Sequence, residues 1–460
     1  MDLFTFPLNS FSPIDEQIYI QIRNLIVEHK LDGITELPSA RELAIHLKQS
    51  QADISSAYRQ LEIEGYVTKK DNIFSLSTIE NETTAQTNYS STYKVDEKHF
   101  QYDFIPNIVD QQHFPIDRWN DCLREASLNP MIYAESDVNG EPLIKQALVA
   151  HFSTHRNISV SEANIFIGSS IQTLLIRLGM FLKEKDYFNS FIIENPGNRS
   201  SYNIFKSLGY TTSSYRVTPE KHNIDEIPEE RALLYLTPSQ QQPLGITLPV
   251  EQRFQLIAWA QRNDSLIIED DNDSEFRYNG RSITPMASMN SGHVAYIGSF
   301  SRSFLPSLRV AYLLLPDRFV EEYHAHNKNF EQSSSSIAQI AVANFIKKGY
   351  MNEHFKKMLA IYEQKMTVLA TKISTTFPST VSTYSDDSGQ YLLVQPNNGM
   401  TEEQLIDSAS KFSVRVYPSS VFFLEGRKAS APIILLGFGR LSRPEILTGI
   451  ERLAKAWFDE

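Results

Sequence analysis

A chain of 460 residues with 41% apolar and 21% charged residues is too long for one ordinary core and has the balance of a globular protein of two or three domains. Its net charge of −12 argues against a generally basic, nucleic-acid-coating surface and leaves only a local contact face open. A single cysteine, Cys122, excludes an internal disulfide, and with no leader-like start and no run of ~18 apolar residues a cytoplasmic protein outside the membrane is expected.

At the N-terminus, Ser12-Pro13-Ile14-Asp15 has the form of a helix start, with Ser12 as N-cap and Pro13 at the first helical position. Ile14, Ile18, Ile22 and Leu25 give that helix one apolar face, and Gly33 is the expected terminator. Ser39 reads as the N-cap of a second helix running through Leu47. A third begins near Ser50, buries Ile54, Ala57, Tyr58 and Leu61, and closes at Gly65. Two short strands with a turn at Asp71-Asn72 follow. Helix, helix–turn–helix and β-hairpin together make a winged helix.

The run Leu37-Pro38-Ser39, Arg41, Leu43-Ala44, Ala57-Tyr58, Leu61 and Glu64-Gly65-Tyr66 closely resembles the DNA-binding pattern of the GntR family. In that family the third helix enters the major groove and the wing lies along the backbone. The resemblance makes Arg41, Ser50, Gln51, Ser55, Arg59, Lys69 and Lys70 the candidate DNA contacts, with Lys48 a further phosphate contact. Each of these charges also reads as ordinary solvated surface. The sequence departs from the family at Gln51 (an arginine there), Asp53 (a threonine) and the wing glycines, here Asp71 and Asn72. Residues 1–80 carry seven Lys/Arg against twelve Asp/Glu, so non-specific DNA affinity is expected to be poor.

Residues 77–98 are rich in Ser, Thr, Asn and Glu without periodicity and read as a solvated connector. The expected organisation is a head over 1–77, a linker over 78–100 and a large region over 101–460. Beyond Tyr102, apolar strand runs (Phe191–Glu194, Leu233–Thr237, Leu266–Glu269, Val294–Gly298, Val310–Leu315) alternate with helical patterns such as Gln172–Leu182 and Val250–Arg262. This is an α/β pattern with a mostly parallel sheet, whose ligands sit at strand C-terminal ends. Past about residue 350 the pattern turns mixed. Helices over Met351–Thr375 and Arg443–Phe458 and strands over Tyr391–Gln395 and Phe412–Tyr417 suggest a smaller α+β part.

Seven segments in one order, among them FIGSSIQTLLIRL, ENPGNRSSYNIF, IIEDDNDSEFRY and YIGSFSRSFLPSLRVAYLLLP, resemble the aminotransferase-like domain of MocR regulators, a fold-type I pyridoxal-phosphate (PLP) fold. The resemblance implies a phosphate cradle from Gly168, Ser169 and Ser170 with Ser299, Ser301 and Arg309, and a head-to-tail homodimer acting on paired DNA half-sites. It puts Asp270 on the pyridine nitrogen. Elsewhere the sequence departs from the family. Asn198 stands for the stacking tyrosine, Asn272 for the ring-oxygen tyrosine, Gln242 precedes Pro243, and Leu435 replaces the substrate arginine, with Arg440 nearby but off-register.

Arg302 occupies the position of the Schiff-base lysine. A guanidinium of pKa above roughly 12 has no available amine lone pair at neutral pH, and the next lysine is Lys328. Transamination through an internal aldimine is therefore not expected, and no covalent cofactor or catalytic residue is assigned. One reading is a site for a small anionic effector, including PLP held non-covalently. The other is a vestigial cavity closed by an Arg302–Asp270 pair. A PLP-fold enzyme of altered chemistry and an interaction protein that binds no DNA are the competing functions. No metal site is expected.

Overall fold

Helix α1 (Ile14–Val27) buries Ile18 and Ile22 of the expected apolar face, leaves Ile14 and Leu25 half-buried, and buries Ile26 in addition. It starts one residue later than expected and stops earlier. Pro13 is itself the N-cap: its ψ of 137° is extended, so it supplies only a carbonyl, to the Gln17 N–H at 3.2 Å, and no side chain caps the helix. The helix then closes well before Gly33, because His29 takes the left-handed conformation (φ 57°) and the Lys30 N–H donates back to Leu25 O. Helix α2 (Ala40–Leu47) carries a reciprocal capping box between Ser39 and Glu42, and α3 (Gln51–Ile63) is capped by Ser50. Ile54, Ala57, Tyr58 and Leu61 are buried, as expected. Tyr58 also donates to Pro38 O at 2.8 Å and meets the Phe74 ring edge-on, which ties α3 to both the turn before α2 and the wing. The wing is an antiparallel hairpin of β1 (Val67–Lys70) and β2 (Ile73–Leu76), with Asp71 left-handed at its turn.

This computed structural model describes residues 2–8, 12–71, 73–77, 100–271, 274–278, 280, 282–385, 387–424 and 431–459. Residues 78–99 of the connector expected over 78–100, and the departures at Asn72 and Asn272, lie outside the described residues. The chain divides into two compact units, Met1–Asp96 and Glu97–Glu460. Among the described residues no helix is long and apolar enough to cross a membrane.

The second unit opens with β3 (Tyr102–Asp103), α4 (Ile116–Ser127) and α5 (Pro142–His155). A seven-stranded sheet follows: β4 (Ile165–Gly168), β5 (Ser190–Asn195), β6 (Thr211–Arg216), β7 (Leu233–Leu236), β8 (Leu266–Asp270), β9 (Val294–Ser299) and β10 (Ala311–Leu314). Its order is β4-β10-β9-β8-β7-β5-β6. β5 to β9 pair in parallel, while β10 runs antiparallel to both β9 and β4. Alternation along these strands sorts the core into two layers. Ile192, Leu234, Ile267 and Tyr296 pack with α4, α5, α8 (Val250–Arg262) and α11 (Ser336–Lys347) on one face. Ile193, Tyr235, Ile268 and Ile297 pack with α6 (Ile171–Glu184), α7 (Arg199–Ser207) and α10 (Asp317–Asn327) on the other. The short α9 (Met286–Met289) precedes β9.

Helix α12 (Tyr350–Thr376) leads into an antiparallel sheet of order β11-β12-β15-β14: β11 (Ser382–Tyr384), β12 (Tyr391–Gln395), β14 (Tyr417–Pro418) and β15 (Ile434–Gly437). Helices α13 (Glu402–Lys411) and α14 (Arg443–Phe458) cover it. Two differences from expectation share one cause. Residues 412–417 do not form a single strand: Ser413 turns left-handed (φ 60°), and only then does β13 (Val414–Arg415) pair with β3, leaving β14 to pair with β15. The residues around β3 thereby join this smaller layer rather than the larger one. Phe104 is fully buried in its core, and its carbonyl accepts from Gly437 N–H at 2.9 Å.

Candidate effector pocket and nucleic-acid face

The C-terminal ends of β8 and β9 and the N-termini of α6 and α7 converge on a cavity of about 280 Å³. Ser170, Asn198, Asp270, Ser299, Ser301, Arg302 and Arg309 all line it, so the structure brings together seven of the residues singled out from sequence. Gly168 and Ser169 do not line it. Gly168 lies behind, where a Cβ would come within 2.9 Å of Leu174, and the Ser169 N–H donates to Ser333 Oγ at 3.0 Å. The Ser170 N–H is also committed, to Thr173 Oγ1 at 3.0 Å. The helix end facing the cavity is therefore Ser170-Ile171-Gln172, a residue or two further on than the expected cradle.

Asn198 takes the N-cap of α7, accepting from Ser201 N–H at 3.1 Å, and its Nδ2 donates to Tyr235 OH at 3.2 Å. Tyr235 in turn donates to Asp270. Burial, then the Asp270 charge, pushes the Tyr235 phenol far above its ordinary range, so it remains a donor. Gln242 is buried behind the cavity rather than on its wall, and its Oε1 accepts from Arg302 Nη2 at 3.4 Å. Arg309 holds a left-handed backbone (φ 56°) just before β10. Arg440 pairs instead with Asp103 at 3.7 Å and does not line the cavity.

Two acids on the wall escaped the sequence reading. Asp271 lines the cavity and forms a buried ion pair with Arg156 at 2.6 Å, and Glu275 lies beside it. Their signal was the acidic run after β8, which reads equally well as a turn. The wall thus carries both signs: arginines come from the β9–β10 connection and carboxylates from the end of β8 and just beyond it. Among the described lining residues there is no lysine and no aromatic side chain. Arg302 and Asp270 both lie on its wall. Beneath it, Glu194 is fully buried, accepts from the Thr237 N–H and Oγ1, and is pushed up to about 8 by burial. No group of three or more His, Cys, Asp or Glu is placed to hold a metal among the described residues.

In the head, Arg41, Ser50, Gln51, Ser55, Arg59, Lys69 and Lys70 are all exposed. Gln51, Ser55 and Arg59 share one face of α3, and Lys69 lies over the Phe74 ring at 5.3 Å.

Residues 107–427 match the family model described as aminotransferase class I and II. An uncharacterized HTH-type transcriptional regulator of Bacillus subtilis, YhdI, is 30% identical over 99% of this chain and 98% of its own. The chain belongs to the MocR-like, HTH-type regulators that carry an aminotransferase domain. The probable rhizopine catabolism regulatory protein MocR of Rhizobium meliloti is 24% identical over 97% of this chain and 94% of its own. Solved aminotransferases share the fold of the MocR-like unit: Pyrococcus horikoshii kynurenine aminotransferase has a TM-score of 0.69 at 18% identity, covering 78% of this chain and 91% of that one. An archaeal alanine:glyoxylate aminotransferase has a TM-score of 0.70 at 22% identity, with the same coverage.

Proposed function

We propose that this MocR-like chain is a transcription regulator whose winged-helix head binds paired DNA half-sites and whose aminotransferase-like unit dimerises and senses a small anionic ligand without aminotransferase chemistry. Relatives named as transcriptional regulators over nearly the whole chain support the first part. The observation that carries the second is the cavity wall, where Arg302 stands between Ser301 and Ser303 and no described lining residue is a lysine. A delocalised guanidinium binds anions but forms no Schiff base.

The wall fits part of PLP and not the rest. Ser299, Ser301, Arg309 and the N-terminus of α6 suit a phosphate, and Asp270 suits a protonated ring nitrogen. Among the described lining residues nothing suits covalent attachment or ring stacking, and no reaction step is derived through the cofactor. Non-covalent PLP or another anionic metabolite is the ligand class proposed. A head-to-tail homodimer places two heads on paired half-sites.

The test is footprinting of full-length protein on the DNA flanking its own gene at physiological salt. Two protected half-sites whose occupancy changes with the pocket ligand are expected. No protection at micromolar protein overturns the reading.

A further inference from the structure

Helix α3 exposes a broad face that also includes Ala52, Gln60 and Ile63, and a polar stripe runs along it. Gln51, Ser55 and Arg59 recur every four residues and are exposed, while Ile54, Ala57, Tyr58 and Leu61 are buried on the opposite side. Hydrogen bonding within the first turns removes the competing groups. Ser50 Oγ donates to Asp53 Oδ2 at 2.7 Å and accepts the Asp53 N–H at 3.1 Å. Ser55 Oγ donates to the Gln51 carbonyl at 2.8 Å, and Ser56 donates to Asp15 at 2.7 Å. The Gln51 carboxamide is left with a donor and an acceptor and with no hydrogen-bond partner among the described residues.

The N-terminal turn of a recognition helix is the part that reaches base edges. There, a carboxamide matches adenine, donating to N7 and accepting from the N6 amino group. Against guanine it meets two acceptors, N7 and O6, and only its NH₂ can bond. Arg59 lies two turns further along, about 12 Å down the axis, and is better placed for a phosphate. The charge of the head strengthens this division. With seven basic against twelve acidic residues in positions 1–80, sequence-independent attraction is weak and a larger share of affinity falls to base contacts.

We propose that Gln51 is a specificity-determining residue that reads one adenine in each half-site. This rests on the DNA-binding reading given above, and the experiment separates the two. Full-length wild type, Gln51→Arg and Gln51→Ala are each used to select from a pool of random-sequence duplexes. Thermal unfolding confirms that the exposed substitutions leave the fold intact. An adenine column in each wild-type half-site is expected, moving to guanine in Gln51→Arg and flattening in Gln51→Ala. Replacing that adenine by 7-deazaadenine, which lacks the N7 acceptor, weakens wild type roughly tenfold and leaves Gln51→Ala unchanged. Motifs identical at every column in all three proteins overturn the assignment while DNA binding stands. A wild type that enriches no motif overturns the DNA-binding reading and the assignment with it.

Discussion

Tyr235 donates its hydroxyl to the Asp270 carboxylate at the cavity wall, and Asn198 donates to the same hydroxyl oxygen at 3.2 Å. The pair links the core face of β7 to the polar end of β8, so the acid is held by the protein itself. Tyr235→Phe removes a charge-assisted bond to a buried carboxylate and strands the Asn198 amide. A cost of about 2 kcal/mol is expected. Urea unfolding of the full chain measures it, and a change below about 0.5 kcal/mol contradicts the role given to this bond.

Arg309 combines a left-handed backbone with an exposed guanidinium on the cavity wall. Arg309→Gly relieves the backbone while adding chain entropy, so stability changes by less than about 1 kcal/mol. Binding of PLP weakens roughly tenfold or more by calorimetry. Undiminished binding removes Arg309 from the anion site.

Stability depends on pH through buried groups of opposite sense. Burial pushes His151, His222 and His354 down to about 4, so each is neutral in the folded protein while the unfolded chain protonates near 6.5. Their contribution is lost as pH falls below 6.5. Burial pushes Glu194 up to about 8 and Glu269 to about 7. Between 4.5 and those values the native state holds protons that the unfolded chain has released, so stability falls as pH rises. Glu194 and His222, 3.8 Å apart, therefore meet as neutral groups rather than as an ion pair. Thermal unfolding should peak near pH 6.5, with the alkaline fall on the order of 1 kcal/mol per pH unit for each glutamate. Glu194→Gln should flatten that fall, and an unchanged alkaline limb contradicts the assignment.

Arg41, exposed in the first turn of α2, is expected to contact phosphate. Arg41→Ala should weaken binding to all sequences alike and reduce the salt slope by about one unit. Unchanged affinity in a fluorescence-anisotropy titration contradicts the contact.

Where local chemistry decides structure, the sequence was a sufficient guide. Ser39 with Glu42, Ser50 with Asp53 and Ser442 with Glu445 cap their helices through neighbours three residues away. Arg443–Phe458 accordingly begins and ends where the pattern puts it, and Val250–Arg262 does so with no side-chain cap, behind Pro249. What depends on distant partners was not legible. The polar strand β6 forms because β5 pairs with it, and β13 forms because β3 does. Most of the pocket followed from the resemblance, but the cradle's exact position depends on Ser333, far along the chain. Asp271 joins the wall through Arg156, and no local pattern announces that ion pair.

The most direct test is a calorimetric titration of the full-length protein with PLP, followed by borohydride reduction and intact-mass measurement. Saturable heat with an unchanged protein mass is the predicted result. A stoichiometric reduced adduct, or no heat from either PLP or inorganic pyrophosphate, would contradict a non-covalent anion sensor.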